Sequence, residues 1–543
     1  MVTRRRLLKT GSLIGASALI TLSTPELMLA AERLAASARR SPDFRGTRLV
    51  AILSGGAAAD QLGVRSGRGI APGGPQAIAA MRDGRLAILD TLNGRVLYLT
   101  NGRPSGVEAL PGALYPLDMD VLDSGLVVFD PSATALFAVG GGRVRTRTLP
   151  RSDLNAVSRI MGFANTTVLV EEDSTSFDSG SHRSTRSSGY PDALGGRLTI
   201  AYESGDVPRR RRAQIRQGDG TTFDIVTTHA LGSVVALGRD DAGRSYFQVS
   251  ELVPSEGGLD VDLTLRRFLP DGLAAGVARA PVRGRESHPR RAACFAPNGD
   301  AFALFPEASQ VRILQLDWAV TIAPLAPLVS LIQLPKLTAN AALLIANCRT
   351  TAIDIGKQYA HVTHNGGSWI ATAANLDHAG YQQRTGVAVT KPAFLVGPGT
   401  YYELPYCWGG MHLPQGFINE MNAGKLAGNA NTTGNFKLDT SSVDCSGMIQ
   451  QCWGVGDGVK QDDTMLTNWV TESNRWDVGA TLSPGDMWRL PGEHARMHRA
   501  YPGDGTGEWM IESTMDWGNK CYNTFRPWSD YVNYYWNKGN FQC

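Results

Sequence analysis

Cys445 is placed where a cysteine can act as a nucleophile. It stands between Asp444 and Ser446 in the segment SSVDCSGMIQ, where apolar residues with helical spacing begin. The first turn of a helix favours an anion, so a thiol there ionises more readily and its thiolate can attack a carbonyl carbon. The chain has seven cysteines, an odd number, so bridges alone cannot account for all of them. We predict that Cys445 stays reduced and is catalytic.

Two histidines that follow offer the proton acceptor that such a thiolate needs. Histidine suits this role because its pKa of about 6.5 lets it take and return a proton near neutral pH. His494 opens a segment with strand character, and His498 lies four residues later, on the same face of that strand. Glu512 lies in the returning strand, within a hairpin of either histidine. Spacing alone leaves the choice between the two histidines open.

Three segments of the last part of the chain resemble one known family. They are PYCWGG at 405–410, VDCSG running into MIQQCWG from 443, and the stretch LSPGDMWRLPGEH to WMIEST over 482–514. In this order they are similar to the NlpC family of papain-like cysteine peptidases, which are cell-wall hydrolases that cut amide bonds in peptidoglycan stem peptides. The resemblance covers roughly residues 340–540. It implies a papain-like α+β fold and hydrolysis through a thioester, with no metal and no cofactor.

The resemblance also implies a role for each matching residue. Cys445 is the nucleophile, and His494 is the general base and then the general acid, since it follows its turn as the family's histidine does. Glu512 takes the third position, where it orients the imidazole and stabilises its charged form. Tyr406 matches a tyrosine that stabilises the oxyanion together with the backbone N–H of Cys445. His498 is the alternative base.

Substrate-binding roles are predicted for residues beside the nucleophile. Asp444 and Ser446 match positions that hold the free amine end of a stem peptide in relatives, and a carboxylate there would attract an ammonium group. Trp408, in the first segment, is a third predicted substrate-binding residue. Asp444 has an alternative role, because an aspartate at this place can cap the helix.

The other cysteines are candidates for disulfide bonds. Cys407 and Cys452 flank the two parts of the predicted site and are candidates for a bridge between them. Cys521 and Cys543 are candidates for a second bridge, which would close a loop of about 20 residues near the C-terminus.

An internal repeat indicates a separate first domain. The stretches RDGRLAILDTLNGRVLYL and LDSGLVVFDPSATALFAV align at an offset of 40 residues, which places Asp90 over Asp130. Alternating apolar and polar residues around Asp-Gly and Asn-Gly turns predict β-hairpins, and a period near 40 is typical of a β-propeller. The sequence therefore predicts an all-β propeller of about six blades over 48–325. We interpret the propeller as a binding or scaffolding domain, and the sequence does not identify its ligand.

The N-terminal segment predicts that the protein is exported. TRRRLLK resembles a twin-arginine export signal, and a short apolar run with small residues follows it. We predict a signal peptide at 1–38, the propeller, a linker at 326–340 and an NlpC-like hydrolase domain at 341–543. The mature chain would be periplasmic or extracellular. No later segment is apolar and long enough to span a membrane.

Composition excludes some partners. The formal charge of +3 comes from the basic signal segment, so the mature chain is near neutral and has no electrostatic footprint for nucleic acid. The predicted function is an exported cysteine hydrolase that cleaves amide bonds, with peptidoglycan or its stem peptides as partner. Two alternatives stay open: a cell-surface protein whose propeller recognises a ligand, and a papain-like amidase or acyltransferase that acts on another secreted polymer.

Overall fold

The computed structural model describes residues 42–537 with internal gaps. The gaps are 67–71, 150–156, 164–165, 172–174, 179–186, 193–195, 205–209, 256–257, 322–338, 362–367, 434–436, 455–481, 491–492, 502–506 and 532–533. The predicted signal peptide, most of the predicted linker and Cys543 lie outside the described residues. The described part is mostly β-sheet.

The first part of the chain forms six groups of four antiparallel strands; within the described residues five of these groups are separate sheets, and the fifth in chain order belongs to a nine-stranded sheet that also contains C-terminal strands. The first three consist of β2 (Ala77–Ala80), β3 (Leu86–Asp90), β4 (Arg95–Thr100) and β5 (Arg103–Ala109); β6 (Asp118–Leu122), β7 (Gly125–Asp130), β8 (Ala135–Gly140) and β9 (Arg143–Thr148); and β10 (Val157–Phe163), β11 (Thr166–Glu171), β12 (Thr175–Asp178) and β13 (Ser187–Ser188). The next two consist of β14 (Tyr190–Pro191), β15 (Arg197–Tyr202), β16 (Arg212–Arg216) and β17 (Thr222–Val226); and β18 (Ala230–Arg239), β19 (Ser245–Ser255), β20 (Gly258–Phe268) and β21 (Ala274–Ala280). The last joins β22 (Ala293–Phe295), β23 (Ala301–Pro306) and β24 (Gln310–Leu316) to β1 (Thr47–Ser54).

These sheets form a propeller-like ring. The first strands of all six sheets contribute to the lining of one central cavity of about 430 Å³. The ring is closed by its N-terminal strand, because β1 pairs with β24 of the last sheet from Thr47 opposite Leu316 to Ser54 opposite Gln310. The propeller-like part of the fold prediction is therefore confirmed.

The repeated aspartates explain why the sequence pattern recurs. Asp90 ends β3 and Asp130 ends β7, and both side chains are fully buried. Asp90 accepts hydrogen bonds from the backbone N–H of Gly63 at 2.8 Å and from Nε of Arg95 at 2.7 Å. Asp130 accepts from backbone N–H groups on both sides of its turn, including that of Tyr115 at 2.8 Å. The repeated aspartates thus stabilise turns, and the repeat does not indicate a ligand site.

The second part of the chain combines helices with a sheet. The helices are α1 (Ala339–Tyr359), α2 (His378–Thr385), α3 (Pro414–Asn422) and α4 (Cys445–Cys452). Two small pairs are β25 (Trp369–Ala371) with β26 (Gly399–Tyr401), and the parallel pair β27 (Leu426–Ala427) with β28 (Thr440–Ser441). The main sheet has the order β33-β29-β30-β31-β32, with β29 (Met487–Leu490), β30 (His494–Ala500), β31 (Gly507–Thr514), β32 (Lys520–Pro527) and β33 (Tyr535–Asn537).

The main C-terminal sheet is buried on both faces. One face carries Ala495, Met497 and Ile511 and packs, with Met448 and Ile449 of α4, into what we call the helix-side core. The opposite face carries Trp488, Leu490 and Met510, which pack against apolar residues of the fifth and sixth propeller sheets in what we call the interdomain core. The two parts of the chain therefore share a hydrophobic core, and β33 also pairs with β20.

Within the described residues, no helix has the length and apolar character needed to cross a membrane.

Candidate active site

Cys445 begins helix α4, as the sequence predicts. Asp444 is the N-cap residue, and its Oδ1 accepts a hydrogen bond from the backbone N–H of Gly447 at 2.7 Å and from the hydroxyl of Ser446 at 2.9 Å. The cap satisfies backbone donors that a helix start would otherwise leave unpaired. The thiol is 3% exposed and not disulfide-bonded. The capping role of Asp444 is thus present in the structure, while substrate binding by Asp444 and Ser446 stays a prediction.

The PYCWGG segment docks directly against the start of α4. Tyr406 forms a parallel bridge with Val443, two residues before the nucleophile, and is buried. The backbone N–H of Gly409 donates to Oδ2 of Asp444 at 2.9 Å. Trp408, which lies between them, is half-buried and donates its backbone N–H to the carbonyl of Asn429 at 2.9 Å. The first two predicted motifs are therefore neighbours in space.

Gly447 is required by this docking. A Cβ at this position would lie 2.1 Å from the carbonyl oxygen of Gly410, a backbone atom that cannot move alone. We expect Gly447→Ala to lower the free energy of unfolding by on the order of 1–3 kcal/mol, the usual cost of overpacking. Urea denaturation followed by circular dichroism measures this change.

Gly416 in α3 provides the matched control, because a Cβ there meets nothing within 4 Å. Gly416→Ala is expected to stabilise the protein by about 0.5–1 kcal/mol, since alanine loses less backbone freedom in a helix. Equal stability of the two variants would show that the two motifs are not in the close contact described.

The backbone is strained three residues before the nucleophile. Ser442 has φ of +138°, in a region that residues other than glycine rarely adopt, and it is fully buried. Its carbonyl accepts the backbone N–H of His412 at 3.2 Å. Such strain persists only where the surroundings enforce it, and it is common at active sites. Sequence reasoning did not find Ser442, because a serine in this conformation carries no sequence signal.

The third motif reaches the same place from the sheet. The hydroxyl of Ser513 in β31 donates to the carbonyl of Val443 at 2.8 Å. At the other end of α4, Nε1 of Trp453 donates to the carbonyl of Gly485 at 2.8 Å. All three motifs therefore meet around α4. Ser513 was not singled out from the sequence, although it directly follows Glu512.

His494 and Glu512 form a buried pair. Nε2 of His494 lies 2.7 Å from Oε2 of Glu512, and the other oxygen of Glu512 accepts from Nε of Arg526 at 2.8 Å. Burial opposes ionisation of Glu512, but the charges of Arg526 and Arg496 outweigh it and hold the pKa of Glu512 below its usual value. Arg526 was missed by sequence reasoning, since nothing in its local sequence marks it as a partner of Glu512.

The state of Glu512 fixes the tautomer of His494. Burial lowers the pKa of His494 more than the hydrogen bond and charge of Glu512 raise it, so the neutral imidazole is favoured. An ionised carboxylate only accepts hydrogen bonds, so Nε2 of His494 must carry the proton and donate it. Nδ1 is then unprotonated, which is the state that a general base requires.

His498 has its own acidic partner. Its Nδ1 lies 3.0 Å from Oε2 of Glu508, and the same oxygen accepts from Nε1 of Trp488 at 2.8 Å. The register of β30 and β31 pairs His498 with Met510 and Met497 with Ile511. Glu508 and His498 therefore form a second pair, at a different position along β30 and β31 from the pair formed by His494 and Glu512.

The same register shows which histidine lies nearer, along the strand, to the residue opposite Ser513. Continued along β30, it places Ala495 opposite Ser513, the residue that bonds Val443. His494 adjoins that point, whereas His498 is three residues beyond it, about 10 Å along the strand. The strand position favours His494 over His498.

The two imidazoles share one face of β30, as the sequence predicts, but this is not the face that packs against α4. His494 and His498 alternate along β30 with Ala495 and Met497, whose side chains belong to the helix-side core. Strand alternation therefore places both imidazoles on the face that packs against the propeller. Among the described residues, His494 forms no hydrogen bond with Cys445.

The predicted disulfide bonds are wrong for three of the four candidate cysteines. Cys407, Cys452 and Cys521 are buried and carry thiols, and Cys543 lies outside the described residues. Burial raises the pKa of Cys521 to about 12, so it is protonated and unreactive at neutral pH. Spacing around a site does not establish the close approach of two Cβ atoms that a bridge requires. Cys348 is disulfide-bonded, whereas Cys294, the other cysteine that those pairings leave over, is buried and carries a thiol.

Comparisons with known proteins give only remote similarities. No family model matches the chain. No curated protein matches it. Among solved structures, hydrazine synthase of Kuenenia stuttgartiensis is 17% identical over 45% of this chain and 76% of its own, with a TM-score of 0.29. A virginiamycin B lyase of Staphylococcus aureus is 11% identical over 45% of this chain and 94% of its own, with a TM-score of 0.28. Glutaminyl cyclase of Myxococcus xanthus is 10% identical over 50% of this chain and 100% of its own, with a TM-score of 0.24.

Proposed function

We propose that this protein is an exported cysteine hydrolase that cleaves amide bonds in peptidoglycan stem peptides. The observation that carries the proposal is the convergence of three motifs on the first turn of α4. The PYCWGG segment bridges to Val443, the hydroxyl of Ser513 bonds the Val443 carbonyl, and Cys445 begins the helix beside them. A reduced cysteine at a helix start is suited to nucleophilic catalysis, and a histidine with an unprotonated nitrogen is suited to accept its proton.

The proposed reaction proceeds in two halves. Nδ1 of His494 accepts the thiol proton as the sulfur of Cys445 attacks the carbonyl carbon of the amide. The imidazolium then donates this proton to the leaving amine as the C–N bond breaks, which leaves an acyl thioester. In the second half, His494 removes a proton from water, the hydroxide attacks the thioester, and the thiol is restored as the carboxylic acid product departs.

The other predicted residues support these steps. Glu512 holds the ring through Nε2 and stabilises the imidazolium that forms in each half. Tyr406 and the backbone N–H of Cys445 are the proposed donors to the oxyanion. The substrate assignment follows the NlpC resemblance, and papain-like architecture of the second domain is part of this proposal.

The proposal requires the imidazole of His494 to come within hydrogen-bond reach of the sulfur. In the structure, the hydrogen bond of this imidazole goes to Glu512. His494 is the first residue of β30 and pairs there with Leu490 of β29. Catalytic hydrogen bonds are often long in ligand-free enzymes and tighten when substrate binds.

The test is digestion of purified peptidoglycan by the full-length protein, with mass spectrometry of the released fragments. We expect new amine and carboxyl ends within stem peptides. Cys445→Ala should lower the rate by several orders of magnitude, because the thioester can no longer form. Cys452→Ala is the matched control: it removes a buried thiol from the same helix and should keep activity.

Two outcomes would decide against the proposal. Undiminished hydrolysis by Cys445→Ala would show that the nucleophile is elsewhere. Binding of peptidoglycan without cleavage would favour a recognition protein, for which the propeller offers the central cavity of about 430 Å³. Fragments joined to an added amine, in place of free carboxyl ends, would identify an acyltransferase.

A further inference from the structure

Arg285 is a buried cation that has no counter-ion among the described residues. It lies in the loop between β21 and β22, is 1% exposed, and within that part of the chain has no hydrogen-bond partner at Nε, Nη1 or Nη2. Burial alone lowers its pKa to about 9, with no contribution from a nearby charge. Its guanidinium carbon lies 5.9 Å from the ring centre of Phe305, a contact too long to compensate the lost hydration. A guanidinium taken out of water in this way is costly unless an anion pairs with it.

Two further side chains beside Arg285 also have unused donors. The hydroxyl of Ser287 is buried and has no hydrogen-bond partner in the part of the chain that the structure describes. Nε and Nη1 of Arg496 have none either, although Arg496 donates from Nη2 to the hydroxyl of Tyr534 and its Nε lies 3.8 Å from Glu512. Arg285, Ser287 and Arg496 line the same small chamber, which is enclosed between the propeller and the face of the C-terminal sheet that carries His494.

Four acidic residues also line this chamber, Glu286, Glu493, Asp516 and Asp530, and the last two are engaged with another arginine. Arg526 lies 3.5 Å from Asp516 and 3.6 Å from Asp530, in addition to its contact with Glu512. Asp516 also pairs with Arg65 of the propeller. Asp516 and Asp530 therefore compensate Arg526 and Arg65, and Arg285 forms no ion pair within the described residues.

We propose that this chamber, which we call the Arg285 chamber, binds a small inorganic anion such as chloride. Its volume of about 30 Å³ is that of roughly two water molecules, so a monatomic anion fits, whereas a peptide or a nucleotide does not. The anion would accept hydrogen bonds from Arg285 of the propeller and Arg496 of the C-terminal sheet. It would thereby connect the two parts of the chain, independently of the proposed catalysis.

The direct test is a crystal of the full-length protein grown with bromide, which scatters anomalously. We expect an anomalous peak within about 3.5 Å of the guanidinium of Arg285, at the distance of a charge-assisted hydrogen bond. Water molecules at this position, with no anomalous peak, would overturn the proposal.

The solution test compares thermal unfolding in chloride and in gluconate at equal ionic strength. The melting temperature of the native protein should be higher in chloride, by on the order of 2 °C at concentrations well above the dissociation constant. Arg285→Met removes the buried charge, so it should melt at the same temperature in both salts and above the native protein in gluconate. Ser287→Ala should keep the fold and weaken the chloride effect.

Arg103→Met is the matched control, because Arg103 is exposed on β5 of the propeller. It should keep the full difference between chloride and gluconate. A chloride effect that persists unchanged in Arg285→Met would place the bound anion elsewhere and contradict the proposal.

Discussion

Replacement of His494 by alanine is expected to lower turnover about 100-fold or more, the usual loss when a general base is removed. The physical reason is the tautomer that Glu512 imposes: its ionised carboxylate holds the proton on Nε2, 2.7 Å away, and leaves Nδ1 as the proton acceptor. Alkylation of Cys445 by iodoacetamide near neutral pH should also become slower in His494→Ala, because the thiolate loses the group that takes its proton. Release of peptidoglycan fragments and mass spectrometry of the alkylated peptide provide the two measurements.

His498→Ala is the matched control for this prediction. His498 lies on the same strand and face, has its own glutamate partner and is equally buried. It should keep much of the activity and the alkylation rate of Cys445, since it lies three residues, about 10 Å along the strand, from the point opposite Ser513, whereas His494 adjoins that point. If His498→Ala is the inactive variant with the slowly alkylated thiol, the base is His498 and the assignment to His494 is wrong.

The propeller-like fold was predictable because its repeat has a local cause. Asp90 and Asp130 end equivalent strands and bond backbone N–H groups of their own turns or of adjoining segments, so these two neighbouring sheets carry the same residue at the same place. A requirement that recurs in every unit leaves a period in the sequence. The number of sheets followed from that period and the length of the segment.

The local structure of the predicted site could also be predicted from the sequence, because it too has a local cause. Capping of a helix depends on residues within one turn, so Asp444 and the start of α4 at Cys445 have a sequence signal. The sequence left capping and substrate binding by Asp444 as alternatives. The structure shows the cap, with Gly447 and Gly409 as its backbone donors.

Features of the site that depend on long-range contacts could not be predicted from the sequence. The face to which His494 points depends on what covers each side of β30, and the propeller supplies one of the two covers. Likewise, the partner of Glu512 is Arg526, on a strand that no motif marks. The reduced state of Cys452 and Cys521 depends on geometry between α4 and β32, which spacing along the chain does not report.

Arg526 connects the proposed catalytic pair to the interdomain contact. It contacts Glu512, Asp516 and Asp530, and these acidic groups raise its pKa although burial opposes the charge. Asp516 in turn pairs with Arg65 of the propeller, and Arg290 of the propeller donates to the carbonyl of Phe525 at 2.7 Å. The position of Glu512, and through it that of His494, thus depends on a charge network that spans both parts of the chain.

Arg526→Met is therefore expected to cause the largest loss of stability of any single substitution proposed for this protein. Methionine keeps much of the side-chain length but leaves Glu512, Asp516 and Asp530 with one fewer counter-charge in a buried site. Removal of one partner of a buried ion pair typically lowers the free energy of unfolding by about 3–5 kcal/mol. Urea denaturation of the full-length protein, followed by tryptophan fluorescence and circular dichroism, measures the change.

Arg82→Met is the control, because Arg82 pairs with Asp123 at 2.7 Å on the surface of the propeller. An exposed pair of this kind contributes at most about 1 kcal/mol, since water screens the charges. Because the C-terminal sheet and the propeller share the interdomain core, Arg526→Met should shift the unfolding of both parts together. If Arg526→Met is no less stable than Arg82→Met, the network does not hold Glu512 in place, and the proposed orientation of His494 must have another source.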